Sequence, residues 1–109
     1  MAQDSFEQVF AHVRDFDWDP VKRAKTLKER GIDFDDVRHV LAGPFLAQRS
    51  DRKGEIRWMI FGFLADVEVT YVCTTRGSTC WVMSARRAKR NERKKYHDRL
   101  ARDSSQVQE

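Results

Sequence analysis

The segment "IRWMIFGFLADVEVTYVCTTRGSTCWVMS", residues 56–84, carries the clearest signal for the architecture of the chain. It contains three runs rich in β-branched and aromatic residues, separated by short polar breaks at Ala65-Asp66 and Arg76-Gly77. Runs of this composition between turn signals are typical of paired strands. With "FLAQR" at 45–49 in front of them, they predict a small antiparallel β-sheet built as a meander.

The two turns also predict which side chains share a face of this sheet. Turns centred on those breaks place Met59 opposite Val72 and Cys73 opposite Cys80. One face is then almost wholly apolar and should form the core; its members are Ile56, Trp58, Ile60, Leu64, Val67, Val69, Tyr71, Cys73, Cys80 and Val82. The other, which we call the open face, should be the working face and carries Arg57, Met59, Phe61, Glu68, Thr70, Val72, Thr74, Thr79, Trp81 and Met83. A slip of one residue would exchange the faces.

Helical patterns precede the meander. The segment "DSFEQVFAHVR" should form a helix with Asp4 or Ser5 as its cap. This helix either packs on the domain or is a frayed arm, and further alternatives are that it covers a sheet edge or docks a second copy of the chain. "DFDW" at 15–18 reads as a short strand, and Asp19 caps a helix that starts at Pro20 and ends at Gly31. Three apolar residues of that helix should face inward, namely Val21, Ala24 and Leu27. Asp33 should cap a shorter helix that ends at "GP", 43–44.

The last element is strongly basic. Residues 84–102 hold nine Lys and Arg against Glu92 and Asp98, although the net charge of the 109-residue chain is only +4. Ser84 should cap this segment as a helix, which completes an α+β fold: a small antiparallel sheet with N-terminal helices and a basic C-terminal helix. Three roles are open for such a charged helix: it binds a polyanion, it binds an acidic protein partner, or it only keeps the protein in solution.

Composition limits the remaining classes. No apolar run approaches the ~20 residues that a membrane crossing needs, and "MAQDSFEQVFAHVRD" does not read as a secretion signal. A cytoplasmic location is therefore expected, with Cys73 and Cys80 as two buried thiols rather than a disulfide. The three histidines are scattered, so neither a metal nor another cofactor is expected.

Several motifs in order resemble the BrnT family of type II toxins. They are "FDWDPVKRAKTLKERGIDFDDV" at 16–37, Arg57 and Gly62 in a strand, and "MSARRAKRNERKKY" at 83–96. We therefore expect a helical extension over 1–15, a BrnT-like toxin domain over 16–102 and a disordered tail over 103–109. The resemblance implies a RelE-like fold and a metal-independent endoribonuclease, a hydrolase-type toxin that cleaves RNA and inhibits translation.

The resemblance also implies partners. The substrate is RNA, free or as ribosome-bound mRNA. Neutralisation comes from a BrnA-like antitoxin with a ribbon-helix-helix part, in a toxin–antitoxin heterotetramer, and operator DNA is bound only through the antitoxin. A membrane partner is not expected.

The candidate site follows from the matched motifs. Arg57 and Arg86 are the expected catalytic residues, because guanidinium groups offer fixed charge and forked donors to a phosphate; the alternative is that they only pair with acids such as Glu92 or Glu68. Glu92 is expected in a salt bridge rather than as a general base. Candidate RNA-binding residues are Lys22, Lys28, Arg30, Trp81, Arg87, Arg90 and Tyr96. Tyr96 could instead anchor the helix by its ring, Trp81 could belong to the core, and the lysines could be simply solvated.

Two positions depart from the family pattern. Glu29-Arg30 stands where the pattern has Lys-His, and Trp81 where it usually has arginine. Arginine, with a pKa above ~12, cannot act as a general base, and His39 is the nearest substitute along the chain. A non-cleaving module that binds RNA or the antitoxin is therefore the alternative function. A DNA-binding regulator is a weaker reading, because no helix-turn-helix pattern precedes the basic segment.

Overall fold

Five strands and four helices make up the fold, seen in a computed structural model that describes residues 5–107, with side chains to residue 102. The strands are β1 (Asp15–Trp18), β2 (Phe45–Arg49), β3 (Trp58–Leu64), β4 (Val67–Arg76) and β5 (Thr79–Arg87). The helices are α1 (Phe6–Phe10), α2 (Pro20–Arg30), α3 (Val37–Ala42) and α4 (Arg90–Val107), and a 3₁₀ turn at Phe34–Asp36 leads into α3. The strands form one sheet in the order β1-β5-β4-β3-β2.

The predicted α+β class and meander are confirmed, with one addition. Strands β2 to β5 pair antiparallel in sequence order. β1, however, pairs parallel with β5, so the sheet is mixed rather than wholly antiparallel. Parallel pairing is open to β1 because a long connection, not a tight turn, separates it from β5.

The core face of the sheet was predicted correctly. Met59 pairs with Val72 as expected. Trp58, Ile60, Tyr71 and the other central members of that face are buried, and Phe34, Val37 and Val40 from the helical segment pack against them. At Gly62, an added Cβ would lie 2.7 Å from Val40 Cγ1, so any larger residue would force α3 and β3 to shift.

The register of the last hairpin differs from the prediction by two residues. Arg76 pairs with Thr79, so the turn is centred on Gly77-Ser78. Gly77, at φ +61°, takes the left-handed first position that such a turn requires. Because the shift is an even number of residues, the faces are unchanged. Cys73 now pairs with Val82 instead of Cys80, and both cysteines are free, buried thiols as expected.

The start of the basic helix was predicted wrongly. Ser84 does not cap a helix; β5 continues to Arg87, and α4 begins at Arg90. The extra residues of β5 pair with Val69, Thr70 and Tyr71 of β4, so backbone pairing with the longer β4 overrides the local helical pattern. At its other end α4 continues to Val107, into the stretch predicted as a disordered tail.

A β-bulge in β5 decides where the following side chains lie. Cys73 pairs with Val82 and Val72 pairs with Ser84, so Met83 is an extra residue. A bulge interrupts the alternation of side chains between the two faces. Ala85 is consequently buried in the core, and Arg86 lies on the open face, where an uninterrupted strand would have sent it to the core.

Helix α2 has the predicted limits, but its apolar residues do not face inward. Val21 is 75% exposed and Leu27 46%, and Ala24 is exposed as well. Polar groups hold the helix instead: Arg23 Nε donates to Asp33 Oδ1 at 2.7 Å, and Arg30 Nη1 donates to the carbonyl of Ala85 at 2.9 Å. These two arginines occupy the inward side, which leaves the apolar residues outside.

The N-terminal helix packs on its own domain, one of the predicted alternatives. Ser5 caps α1 in a reciprocal capping box with Gln8, whereas Asp4 lies outside the described residues. The Phe6 ring meets the rings of Phe45 and Trp58 edge-on at 5.2 and 5.6 Å. In residues 5–107, none of the helices combines the length and apolar composition that a membrane crossing requires.

Candidate functional site

A hollow of about 520 Å³ opens on the open face of the sheet, between the strands and the start of α4. Five cations and a single carboxylate line it, together with two serines and three apolar side chains. The cations are Lys22, Arg52, Arg57, Arg86 and Lys89. The hollow is therefore strongly positive, and both arginines predicted as catalytic lie in its wall.

Arg86 is fixed at one end of the hollow by Glu92. Its Nη1 and Nη2 atoms donate to Glu92 Oε1 and Oε2, each at 2.8 Å. The Arg86 side chain remains 25% exposed, whereas that of Glu92 is only 9% exposed. This bidentate ion pair confirms the salt bridge predicted for Glu92. It also fixes the orientation of the planar guanidinium group of Arg86.

Glu92 is saturated by other donors as well. Its Oε1 atom accepts from Thr70 Oγ1 at 2.9 Å and from the backbone N–H of Lys89 at 2.8 Å, which caps the start of α4. Hydrogen bonding to Arg86, with help from Lys89 and Thr70, lowers the pKa of Glu92 to about 2. Glu92 is therefore an ionised acceptor that joins β4, β5 and α4, and it is not suited to general-base catalysis at neutral pH.

Arg57 is held more loosely. It precedes β3, and a single bond of 3.0 Å joins its Nε to Glu55 Oε1. Among the described residues, its two terminal nitrogens have no partner, and the side chain is 24% exposed. The terminal nitrogens of Arg57 are therefore more available to a ligand than those of Arg86.

A tight turn places Arg52 beside Arg57. The backbones of Arg52 and Glu55 bond reciprocally at 2.9 and 3.0 Å around Lys53-Gly54, both with positive φ, and Ser50 N–H donates to the Arg57 carbonyl at 2.8 Å. Sequence reasoning missed Arg52 as a site residue, as it missed Lys89. Arg52's proximity to Arg57 along the chain, across a "KG" turn, was the available signal.

Most of the other predicted RNA-binding residues do not line the hollow. Lys22 lines it, whereas Lys28, Arg87 and Arg90 are exposed outside its lining. Arg30 donates to the carbonyl of Ala85, directly before Arg86. His39 is 75% exposed on its side chain and faces Asp36 at 3.8 Å.

The two aromatic candidates do not line the hollow. Tyr96 is buried, and its hydroxyl donates to the carbonyl of Pro44 at 2.7 Å, so it anchors α4 as the first alternative predicted. Trp81 is half-buried, and the guanidinium of Arg76 covers its ring at 4.5 Å. Within residues 5–107, no group of three or more His, Cys, Asp or Glu side chains is arranged to hold a metal ion.

The α+β fold thus carries a cationic hollow whose charge is complementary to a polyanion such as a phosphodiester chain. The sequence model of the family described as "Ribonuclease toxin, BrnT, of type II toxin-antitoxin system" matches residues 18–92, and the chain belongs to this family. The resemblance read from the motifs is thereby confirmed. No curated protein matches the chain.

Family membership establishes the general activity. The chain is a ribonuclease toxin of a type II toxin–antitoxin system, so RNA is its substrate class and an antitoxin its partner. The matched residues run from the end of β1 to the first turn of α4 and include Arg57, Arg86 and Glu92. α1 and most of α4, including Tyr96, lie outside the match.

Proposed function

We propose that the chain is a metal-independent endoribonuclease whose hollow binds RNA phosphates, with Arg57 and Arg86 as the catalytic residues. The observation that carries this proposal is that two arginines from separate elements line one cationic hollow. Lys22, Arg52 and Lys89 add positive potential around them.

Cleavage without a metal uses a nucleophile within the RNA. The 2′-oxygen loses its proton to water and attacks the adjacent phosphorus, and the bond to the 5′-oxygen breaks as that oxygen takes up a proton from water. The products are a 2′,3′-cyclic phosphate and a 5′-hydroxyl. Negative charge builds on the phosphoryl oxygens in the transition state, and preorganised donors in a partly desolvated site stabilise it.

The two arginines support different parts of this chemistry. Glu92 bonds two nitrogens of Arg86 and so fixes the position of its guanidinium. Because this group is partly exposed, it presents a positioned positive charge to the RNA. Arg57 has both terminal nitrogens available for a forked contact with phosphate oxygens. We assign orientation of the RNA backbone to Arg86 and direct stabilisation of the scissile phosphate to Arg57.

The cellular role follows from this activity. Cleavage of mRNA, free or ribosome-bound, inhibits translation in the cytoplasm. A BrnA-like antitoxin with a ribbon-helix-helix part neutralises the toxin in a heterotetramer and carries the complex to operator DNA. Expression of the chain alone should arrest growth, and coexpression of the antitoxin should restore it.

The activity is tested with purified protein and single-stranded RNA in excess EDTA. We expect cleavage products that end in a 2′,3′-cyclic phosphate, and no cleavage of an RNA that is 2′-O-methylated throughout. Loss of cleavage in EDTA, restored by a divalent cation, would refute metal independence. Cleavage of the methylated RNA would refute attack by the 2′-oxygen.

One observation favours the second candidate, a non-cleaving module that binds RNA or the antitoxin. Arg30 occupies the family's histidine position and is bonded to Ala85, and no histidine lines the hollow. The same experiment distinguishes the two functions. Tight RNA or antitoxin binding with intact RNA and normal growth would favour the module.

A further inference from the structure

We propose that the apolar floor of the hollow is a subsite for an unpaired nucleobase, made by Met59, Val72 and Met83. This inference rests on the proposed RNA-cleaving function and adds the part of the substrate that lies between two phosphates. All three side chains are half-buried and line the hollow, so a face of each remains accessible.

The strand register places this floor between the two arginines. Met59 pairs with Val72, and Val72 pairs with Ser84 beside Met83, so the apolar residues form one row across β3, β4 and β5. Arg57 lies two residues before Met59, directly in front of β3. Arg86 lies two residues after Ser84 on β5, in the opposite direction along the strands, and pairs with Thr70.

This spacing fits a nucleoside with a phosphate on each side. Two residues along a strand span ~7 Å, in opposite directions for Arg57 and Arg86, and β3 and β5 are ~10 Å apart across β4. The Cα atoms of Arg57 and Arg86 are therefore separated by ~17 Å. At that separation, each guanidinium reaches a different phosphate, one before and one after a single nucleoside. The base of that nucleoside then meets the apolar row rather than a charge.

The β-bulge builds the subsite. In a regular strand, adjacent residues face opposite sides, but Met83 and Ser84 both line the hollow because Met83 is the extra residue. The bulge therefore adds a thioether to the floor and keeps the Ser84 hydroxyl beside it. Methionine sulfur is polarisable and contacts aromatic rings favourably, and its flexible side chain adapts to bases of different size.

The test uses a 2′-O-methylated trinucleotide, which has one central nucleoside between two phosphates and cannot be cleaved by 2′-oxygen attack. A matched trinucleotide with an abasic central residue is the control. In the unaltered chain with ¹³C-methyl methionine, we expect the Met59 and Met83 methyl signals to move upfield when the intact trinucleotide binds, through the ring current of the base. The abasic trinucleotide should not move them.

The variants test the same subsite by affinity. Met59→Ser and Met83→Ser should each weaken binding of the intact trinucleotide by about two- to tenfold and leave binding of the abasic one unchanged. Met83→Leu should retain most of the affinity.

The outcomes separate this inference from the proposed function. Equal affinity for the two trinucleotides, or equal methyl shifts, would overturn the nucleobase subsite while leaving phosphate binding by the hollow intact. Binding of neither trinucleotide would overturn the subsite together with RNA binding at the hollow. Because the methyl signals are read in the unaltered chain, the result does not depend on the folding of a variant.

Discussion

The β5–α4 junction and the segment 50–57 each deliver one arginine to the same hollow, but they hold it in different ways. At the junction, Arg86 is tied by two bonds to a nearly buried Glu92 that also joins Thr70 and the backbone before α4. In the segment 50–57, Arg57 has one bond to Glu55, whose side chain is 36% exposed. Two arginines in one site can therefore have different roles: Arg86 also stabilises the fold, whereas Arg57 is available to substrate.

The largest expected effect comes from breaking the junction. Glu92→Gln leaves Arg86 without its counter-charge, and it should lower the free energy of unfolding by about 3 to 5 kcal/mol, as for other buried ion pairs that lose one partner. Glu55→Gln, the matched change beside Arg57, should cost less than about 1 kcal/mol because that pair is more exposed. Urea denaturation of both variants measures the difference, and equal losses would contradict the contrast between the two regions.

The junction should contribute to the pH dependence of stability, beside the Asp33 and Asp51 carboxyl groups, whose pKa is also lowered by an arginine partner. The pKa of Glu92 falls from 4.5 to about 2 in the folded state. A folded pKa below the unfolded one means that the stabilisation is complete above pH ~4.5 and is lost as the pH falls toward 2, a change of about 3 kcal/mol. Denaturation between pH 2 and 6 should show this slope in the unaltered chain and a shallower one in Glu92→Gln. The same slope in both proteins would show that Glu92 does not cause the pH dependence.

Arg57→Ala should separate catalysis from stability. Loss of a donor to the transition-state phosphate should slow RNA cleavage by about 10²-fold, while unfolding changes by less than about 1 kcal/mol. Arg38→Ala is the control, because Arg38 is exposed and lies outside the lining of the hollow, where it contacts Asp35 and the Phe16 ring. Single-turnover cleavage rates at saturating enzyme make the comparison, and an Arg57→Ala variant that cleaves as fast as Arg38→Ala would refute the assignment.

The smallest expected effect distinguishes two lysines of α2. Lys22 lines the hollow and Lys28 does not. Lys22→Ala should weaken binding of a 2′-O-methylated RNA a few-fold and reduce the slope of log affinity against log salt by up to about 0.7, the single-strand value for one phosphate contact. Lys28→Ala should change neither quantity, and equal effects of the two variants would indicate a diffuse charge rather than a defined hollow.

Much of the fold was predictable from the sequence because its signals are local. Asp19, Pro20 and Gly31 define α2 by capping chemistry, and alternation in β3 and β4 identified the core face. The inward side of α2 and the start of α4 were not predictable from the same signals. Both are set by distant partners: Asp33 and the Ala85 carbonyl for α2, and the edge of β4 for the end of β5.

The candidate site was predictable only in part for the same reason. Arg57 falls on the open face by simple alternation, and the structure places Arg86 in the same hollow as expected. Arg86 arrives there through a β-bulge at Met83, which alternation does not reveal. Arg52 and Lys89 enter the hollow through a turn and a helix start, whose positions depend on tertiary packing.

Arg57 and Arg86 should contact the same RNA strand in one hollow, and the proposed RNA cleavage requires this geometry. The most direct measurement is a titration with the 2′-O-methylated trinucleotide that follows the arginine Nε–H signals by ¹⁵N NMR, with assignments from Arg57→Lys and Arg86→Lys. We expect the Arg57 and Arg86 signals to shift together along a single binding curve, and the Arg38 signal to stay in place. A titration in which either signal is unmoved at saturation would contradict the claim.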